Sequence, residues 1–159
     1  MAHTRLSLGY VLDHYRLLRH DSGLRFTLTR APDHYPAGVE EMMDGAGLRR
    51  VPYCAAVRRA WDLALFGTHG SEIFFTSAAR VHIQHGLGAG KLVDGQDYTY
   101  GPKWALWEGT PKYDRMLEAS HAVRRRAVAA CPPLAGHVSV VGDLRADRLL
   151  AASQYRVAH

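Results

Sequence analysis

Cysteine is scarce in this chain: Cys54 and Cys131 are the only two among 159 residues. Two thiols cannot build a disulfide framework, and their rarity fits a reducing compartment and inert, buried thiols. No apolar run approaches the roughly 20 residues that a helix needs to cross a bilayer. The opening Met-Ala-His-Thr-Arg has no apolar signal-peptide core behind it. The expected location is therefore cytoplasmic. A Gly-x-Ser-x-Gly elbow is absent, which removes support for a serine hydrolase. No basic stripe interleaved with aromatics argues for nucleic acid. Internal repeats and low-complexity segments are also missing.

What is present is an ordinary soluble composition, 47% hydrophobic and 22% charged, with a net charge of +5 carried mostly by scattered arginines. The length suits one domain, and a domain of this size hides roughly 70% of its unfolded surface. The one tight basic run, Arg124-Arg125-Arg126, reads as a solvated helix face. Its other reading is contact with a phosphate-bearing ligand or, peripherally, with the anionic inner face of a membrane.

Helical and strand-like patterns alternate along the chain. Val11, Leu12, Tyr15 and Leu18 fall at helical spacing, and Leu24–Thr29 alternates like a strand. A short helix follows Pro36, and Arg49–Tyr53 is a weak strand candidate. Ala55–Arg59 reads as helical. Trp61–Phe66 and Arg80–Gln84 read as buried strands, with Glu72–Phe75 open between helix and strand. Residues 86–113 read mostly as loop, with a short strand over Lys103–Trp107. Asp114–Ala130 reads as the best helix, because Met116, Ala119, Ser120, Val123, Ala127 and Ala130 follow a 3.6-residue period; Pro132-Pro133 stops it. Val138–Val141 is a strand, and a final helix begins after Gly142. This order predicts a Rossmann-like α/β domain, a doubly wound parallel sheet with helices on both faces. Such a sheet normally opens with a strand, and only Arg5–Leu8 is available for it.

The segment Arg80-Val-His-Ile-Gln-His85-Gly86, followed by Leu-Gly-Ala-Gly-Lys91, carries the chemistry. A strand ends at His85 and meets a glycine-rich turn, and open α/β sheets bind ligands outside the carboxyl ends of their strands. The turn is not a phosphate-binding P-loop: histidine stands at the first glycine position and Leu92 where Ser or Thr would bind magnesium. Its glycines still let backbone amides approach a ligand closely. His82 and His85, three apart on a strand, point to opposite faces and lack further ligands nearby, so no metal is expected. No cofactor is expected either. Thr68-His69-Gly70 also follows a buried strand. His69 and His85 are therefore expected at the same sheet edge, where two histidines make an acid–base site plausible.

Taken together, His85-Gly86, Lys91 and Gly142-Asp-Leu-Arg145-Ala-Asp147-Arg-Leu-Leu150 resemble the motif order of the CDP-glycerol glycerophosphotransferases, which build teichoic-acid-like polymers. Those proteins carry His-Gly-Thr-Pro-Leu-Lys and, later, Gly-Tyr-Pro-Arg-Asn-Asp followed by leucines. The resemblance spans residues 61–150, while residues 1–60 fit only in the order of elements. Leu87–Gly90 differ from the family in sequence and length, and Asp143-Leu144 replaces Tyr-Pro.

The resemblance implies a GT-B fold, two Rossmann-like domains facing across a cleft. It implies His85 as general base on an acceptor hydroxyl, with Gly86, Lys91, His69 and Arg145 on the substrate side. Arg145 and Asp147 have a structural alternative, a pair capping the last helix. Residues 1–150 would form the acceptor-side domain and 151–159 a stub of the interdomain crossover, with the CDP-linked donor held by a second domain. The chain would then be a transferase half that is inactive alone. The wider GT-B pattern fits equally a half of a nucleotide-sugar glycosyltransferase or of a UDP-N-acetylglucosamine 2-epimerase-like protein, acting on a sugar. The third reading is a non-catalytic α/β domain that binds a phosphorylated ligand or another chain.

Overall fold

The computed structural model describes residues 4–32, 37–69, 72–84 and 92–156. The fold is mixed α/β around a four-stranded parallel sheet flanked by helices. Its strands are β3 (Leu63–Phe66), β4 (Ala79–Ile83), β9 (Arg115–Glu118) and β10 (Val138–Val140), in the order β10-β9-β4-β3. Phe66 lies opposite His82, His82 opposite Met116, and Val138 opposite Met116. A separate parallel pair joins β1 (Thr27–Leu28) to β2 (Arg49–Arg50). Helices α1 (Arg5–Leu18), α2 (Val39–Asp44) and α3 (Tyr53–Ala56) alternate with these strands.

Between β4 and β9 the chain makes two miniature antiparallel hairpins, β5 (Leu92–Val93) with β6 (Gln96–Asp97) and β7 (Leu106–Trp107) with β8 (Thr110–Pro111). Each turns on two left-handed residues, Asp94-Gly95 (φ 52° and 73°) and Glu108-Gly109 (φ 49° and 80°). Such pairs match the twist of the flanking strands. The one-turn helix α4 (Pro102–Ala105) separates them, where a strand over Lys103–Trp107 was expected.

The structure redraws three expected elements. Arg5–Leu8 is the first turn of α1, closed by a reciprocal box in which Thr4 and Ser7 each accept from the other's backbone N–H. The supposed helix Asp114–Ala130 is a strand followed by a helix: β9 ends at Glu118, and α5 (His121–Ala130) starts after Ser120, whose hydroxyl accepts from the Val123 N–H at 3.3 Å. Met116 and Glu118 are buried on β9 while Arg115 is exposed, a strand alternation that coincides with the helical spacing of the same residues. The last helix, α6 (Leu144–Arg156), is capped by Asp143, whose Oδ1 accepts from the Arg145 N–H at 2.8 Å, rather than by an Arg145–Asp147 pair.

Two apolar clusters form the interior. One joins the faces of the four-stranded sheet and α5 through Phe66, Phe75, Tyr100, Tyr113, Met116, Ala127 and Leu134. The other holds α1 to β1 and α2 through Leu8, Val11, Leu12, Leu28, Val39 and Met43. Cys131 is buried, but Cys54 is exposed, against the expectation of two buried thiols. No helix among the described residues is long and apolar enough to cross a membrane.

Candidate functional site

The carboxyl end of β3 runs straight into Gly67, Thr68 and His69. Gly67 has no room for a side chain: a Cβ there would lie 2.7 Å from the Ser7 carbonyl oxygen, so α1 docks against bare backbone at this edge. The His69 ring stacks on His82 of β4, centroids 4.4 Å apart, and meets Tyr98 and Tyr113 edge-on at 6.1 and 5.6 Å. His82 is buried in the sheet. Its position inside β4 makes it a platform for His69.

Tyr113 holds His69 in place. Its hydroxyl oxygen lies 3.1 Å from the Thr68 carbonyl and 3.0 Å from His69 Nδ1. Burial raises the phenol well above its usual range, and the nearby Glu72 carboxylate adds to that. The single phenol proton is drawn to groups that can only accept, the Thr68 carbonyl or the Glu72 carboxylate. With that proton donated to the Thr68 carbonyl, the Tyr113 oxygen is placed to accept from His69 Nδ1–H, the tautomer in which Nε2 carries the lone pair. Glu72 is fully buried, and Lys112 Nζ stands 3.6 Å from its Oε1. Carboxylate, phenol and imidazole thus follow one another toward the sheet edge, as in sites that orient a histidine for proton transfer.

A second buried acid lies at the end of β9. Glu118 Oε2 accepts from the Tyr100 hydroxyl at 2.9 Å, while Oε1 has no hydrogen-bond partner among the described residues. Burial pushes this carboxyl up to about 7 against the opposing pull of Tyr100 and Arg126. Arg126 lies over the Tyr100 ring at 5.4 Å and donates to Asp97 at 2.6 Å. Arg124 donates to the Val138 and Ala135 carbonyls at 3.4 Å. The Arg124–Arg126 run is therefore bound into the fold at both ends, not a purely solvated face.

A small crevice opens at the carboxyl ends of β4, β9 and β10, lined by Tyr10, His14, Gln84, Ala119, Gly142 and Asp143 among others. His14 Nδ1 lies 2.9 Å from the Tyr10 carbonyl, so that nitrogen carries the proton and donates. Arg145 stands just past this crevice and is committed to α1. It donates to Asp13 at 2.9 Å and lies 3.9 Å over the Tyr10 ring. Its role in the structure is to tie the last helix to the first.

Of the residues singled out from sequence, His69 and Arg145 are described, whereas His85, Gly86 and Lys91 lie outside the described residues, as does the pairing of His85 with His69. Of the pair His82 and His85, His82 is the buried histidine, as expected for the one not ending the strand; Tyr113, Glu72 and Glu118 complete the picture without having been anticipated. The only available signal was for Glu118, an acid in step with Met116 on what proves to be a strand. No group of three or more His, Cys, Asp or Glu residues suited to a metal ion occurs among the described residues. Comparison with known proteins gives no match: no family model fits the chain, and no curated protein and no solved structure is significantly similar to it.

Proposed function

We propose that this chain is the acceptor-side half of a GT-B-type transferase resembling the CDP-glycerol glycerophosphotransferases. A histidine at the carboxyl edge of the parallel sheet takes the proton from an acceptor hydroxyl. The observation that carries this reading is His69, set at that edge after β3, with its Nδ1 3.0 Å from the Tyr113 hydroxyl. His85 comes two residues after the end of β4, so the segment bearing the motif histidine leaves from the neighbouring strand. In the reaction the acceptor oxygen attacks the donor phosphorus, the new P–O bond forms as the bond to the nucleotide breaks, and the hydroxyl proton passes to the histidine. Lys91 supplies positive charge to the phosphate. The donor nucleotide rests on a second domain.

The test is calorimetric titration of the chain with glycerol phosphate and, separately, with CDP-glycerol and UDP-N-acetylglucosamine. The expected result is binding of the polyol phosphate, weakened at least about tenfold, or about 1.4 kcal/mol, in His69→Ala and Lys91→Ala. The nucleotide donors should bind no better than their free nucleotides. Tight donor binding, or donor turnover by the chain alone, would overturn the reading.

A further inference from the structure

Tyr98 meets His69 from the turn that closes β6. Asp97 clasps this turn: its Oδ1 accepts from the Thr99 and Tyr100 N–H groups at 2.9 and 3.1 Å. Its Oδ2 accepts from Nε and Nη2 of Arg126 on α5, at 2.9 and 2.6 Å. At the end of the same turn the buried Tyr100 ring lies under the Arg126 guanidinium and its hydroxyl donates to Glu118 of β9. Asp97, Arg126, Tyr100 and Glu118 thus fasten the turn that carries Tyr98 to the sheet and to α5.

Two carboxyls therefore stand beside one guanidinium. Arg126 is engaged by Asp97, and Glu118 forms no ion pair among the described residues. Glu118 Oε2 accepts from Tyr100, so the proton of the neutral acid sits on Oε1, the oxygen with no hydrogen-bond partner among the described residues. This surrounding suits the acid and not its anion, because an unpaired O–H is far less costly to bury than an unpaired charge. The groups that face Glu118 are Tyr100 from the turn, Arg126 from α5 and Asp97 from β6. β4 adds His82, which lies on the same sheet face through its pairing with Met116. β10 adds Val140, which does not titrate.

Loss of the Glu118 proton changes the balance at Arg126. The new charge attracts Arg126 and repels Asp97. Both forces part the same pair. The anion gains a counter-charge only if Arg126 turns toward it, and Asp97 then holds its turn without one.

We propose that Glu118 is a proton-operated latch on the His69 site. With the acid neutral, Arg126 stays on Asp97 and Tyr98 is held against His69. With the acid ionised, the Asp97–Arg126 pair opens and Tyr98 is released. The consequence for acceptor binding rests on His69 being the proton acceptor of the site, as proposed above. Glu118 is then a positioning residue: it acts through the turn and does not touch the acceptor.

The test is an NMR titration between about pH 5.5 and 8.5 of the Arg126 Nε–H and of the Thr99 and Tyr100 amides, in the parent and in Glu118→Gln. Calorimetry at both ends of the range measures glycerol phosphate binding. In the parent the three signals should shift together with one midpoint near neutrality. In Glu118→Gln, which still accepts from Tyr100 but cannot ionise, they should stay flat. Raising the pH should weaken binding at least about threefold more in the parent than in the variant, since apparent affinity follows the fraction of molecules with the site assembled. Shifts that persist in Glu118→Gln overturn the latch, because another group such as His82 is then titrating. If the variant does not fold, the carboxyl carbon signal of Glu118 in the parent decides, and a midpoint different from that of Arg126 Nε–H overturns the latch. Flat signals in the parent, or binding that responds equally to pH in both proteins, overturn it and leave the reading of His69 intact. Shifts that follow Glu118, with no glycerol phosphate bound at either pH, support the latch and overturn that reading.

Discussion

Around β3, β4, β9 and β10 the interior is aromatic and threaded with hydroxyls and carboxylates, whereas under α1, β1 and α2 it is aliphatic. Phe66 meets Phe75 at 5.4 Å and Tyr113 at 5.9 Å, and Tyr113 passes from that cluster to His69. Leu28 belongs to a cluster of Leu, Val and Met side chains, with Tyr15 packed at its margin, and lines the cavity of about 330 Å³ between β1 and β3. Rings with polar tips bury large area and still fix the orientation of a neighbour. Branched aliphatics bury area without directing anything. The four-stranded sheet therefore both supports and aims a site, while the aliphatic cluster at the front packs without directing one.

That contrast can be broken most directly at its two centres. Phe66→Ala should lose about 3–5 kcal/mol in urea unfolding, as for a fully enclosed aromatic. Leu28→Ala should fall at the low end of the roughly 2–5 kcal/mol span for such truncations, because its site already borders open space. Equal losses at the two positions would show that the clusters are equally tight.

The next effect is one of pH. Glu118 titrates near 7 when folded and near 4.5 when unfolded, so between those values the folded state holds the extra proton. Stability must therefore fall as pH rises through this window, by up to roughly 3 kcal/mol at about 1.4 kcal/mol per unit. Glu118→Gln should keep the Tyr100 hydrogen bond and flatten the profile between pH 5 and 8. A variant with the same slope as the parent would assign the dependence elsewhere.

At the front, charge holds what packing does not. Asp13 is buried and accepts from Arg16, Arg145 and Arg148, each at 2.9 Å. Burial alone would raise its carboxyl, but the hydrogen bonds from Arg145 and Arg148 outweigh it and hold the group below the ordinary aspartate range. This contribution is complete above the unfolded value of about 3.9 and disappears as pH falls through the lower folded value. The arginines are a third to a half exposed, so solvent screening discounts the pair. Asp13→Ala should cost about 1–3 kcal/mol at pH 7 and little below pH 3, read as unfolding midpoints at both. An undiminished cost in acid would sink the electrostatic account. The smallest expected change is Ser120→Ala, about 1 kcal/mol for a lost helix cap. An unchanged midpoint there would mean that β9 alone sets where α5 begins.

Strands β3 and β4 are legible in the sequence because each is a short apolar run closed by turn residues. β9 is not: Met116, Ala119, Ser120 and Val123 satisfy a helical period, and only the pairing of Arg115–Glu118 between β4 and β10 decides for a strand. Ser120 is itself a helix-start signal, and giving it more weight separates the two elements. His69 is legible because it stands just after a recognisable strand. Tyr113 and Glu72 are not, since they reach the site from a connecting segment and a single 3-10 turn whose positions only the folded chain defines.

The Asp13–Arg145 and Asp13–Arg148 contacts join residues 132 and 135 positions apart. During synthesis at about 5–20 residues per second, Asp13 is made roughly 7–26 s before Arg145. Through that interval a carboxylate that ends up buried must stay hydrated, and α1 can pack only on its near neighbours in the chain, such as β1 and α2. The clamp between α1 and α6 can close only after Arg145 and Arg148 have been made, long after the elements beside α1 have formed.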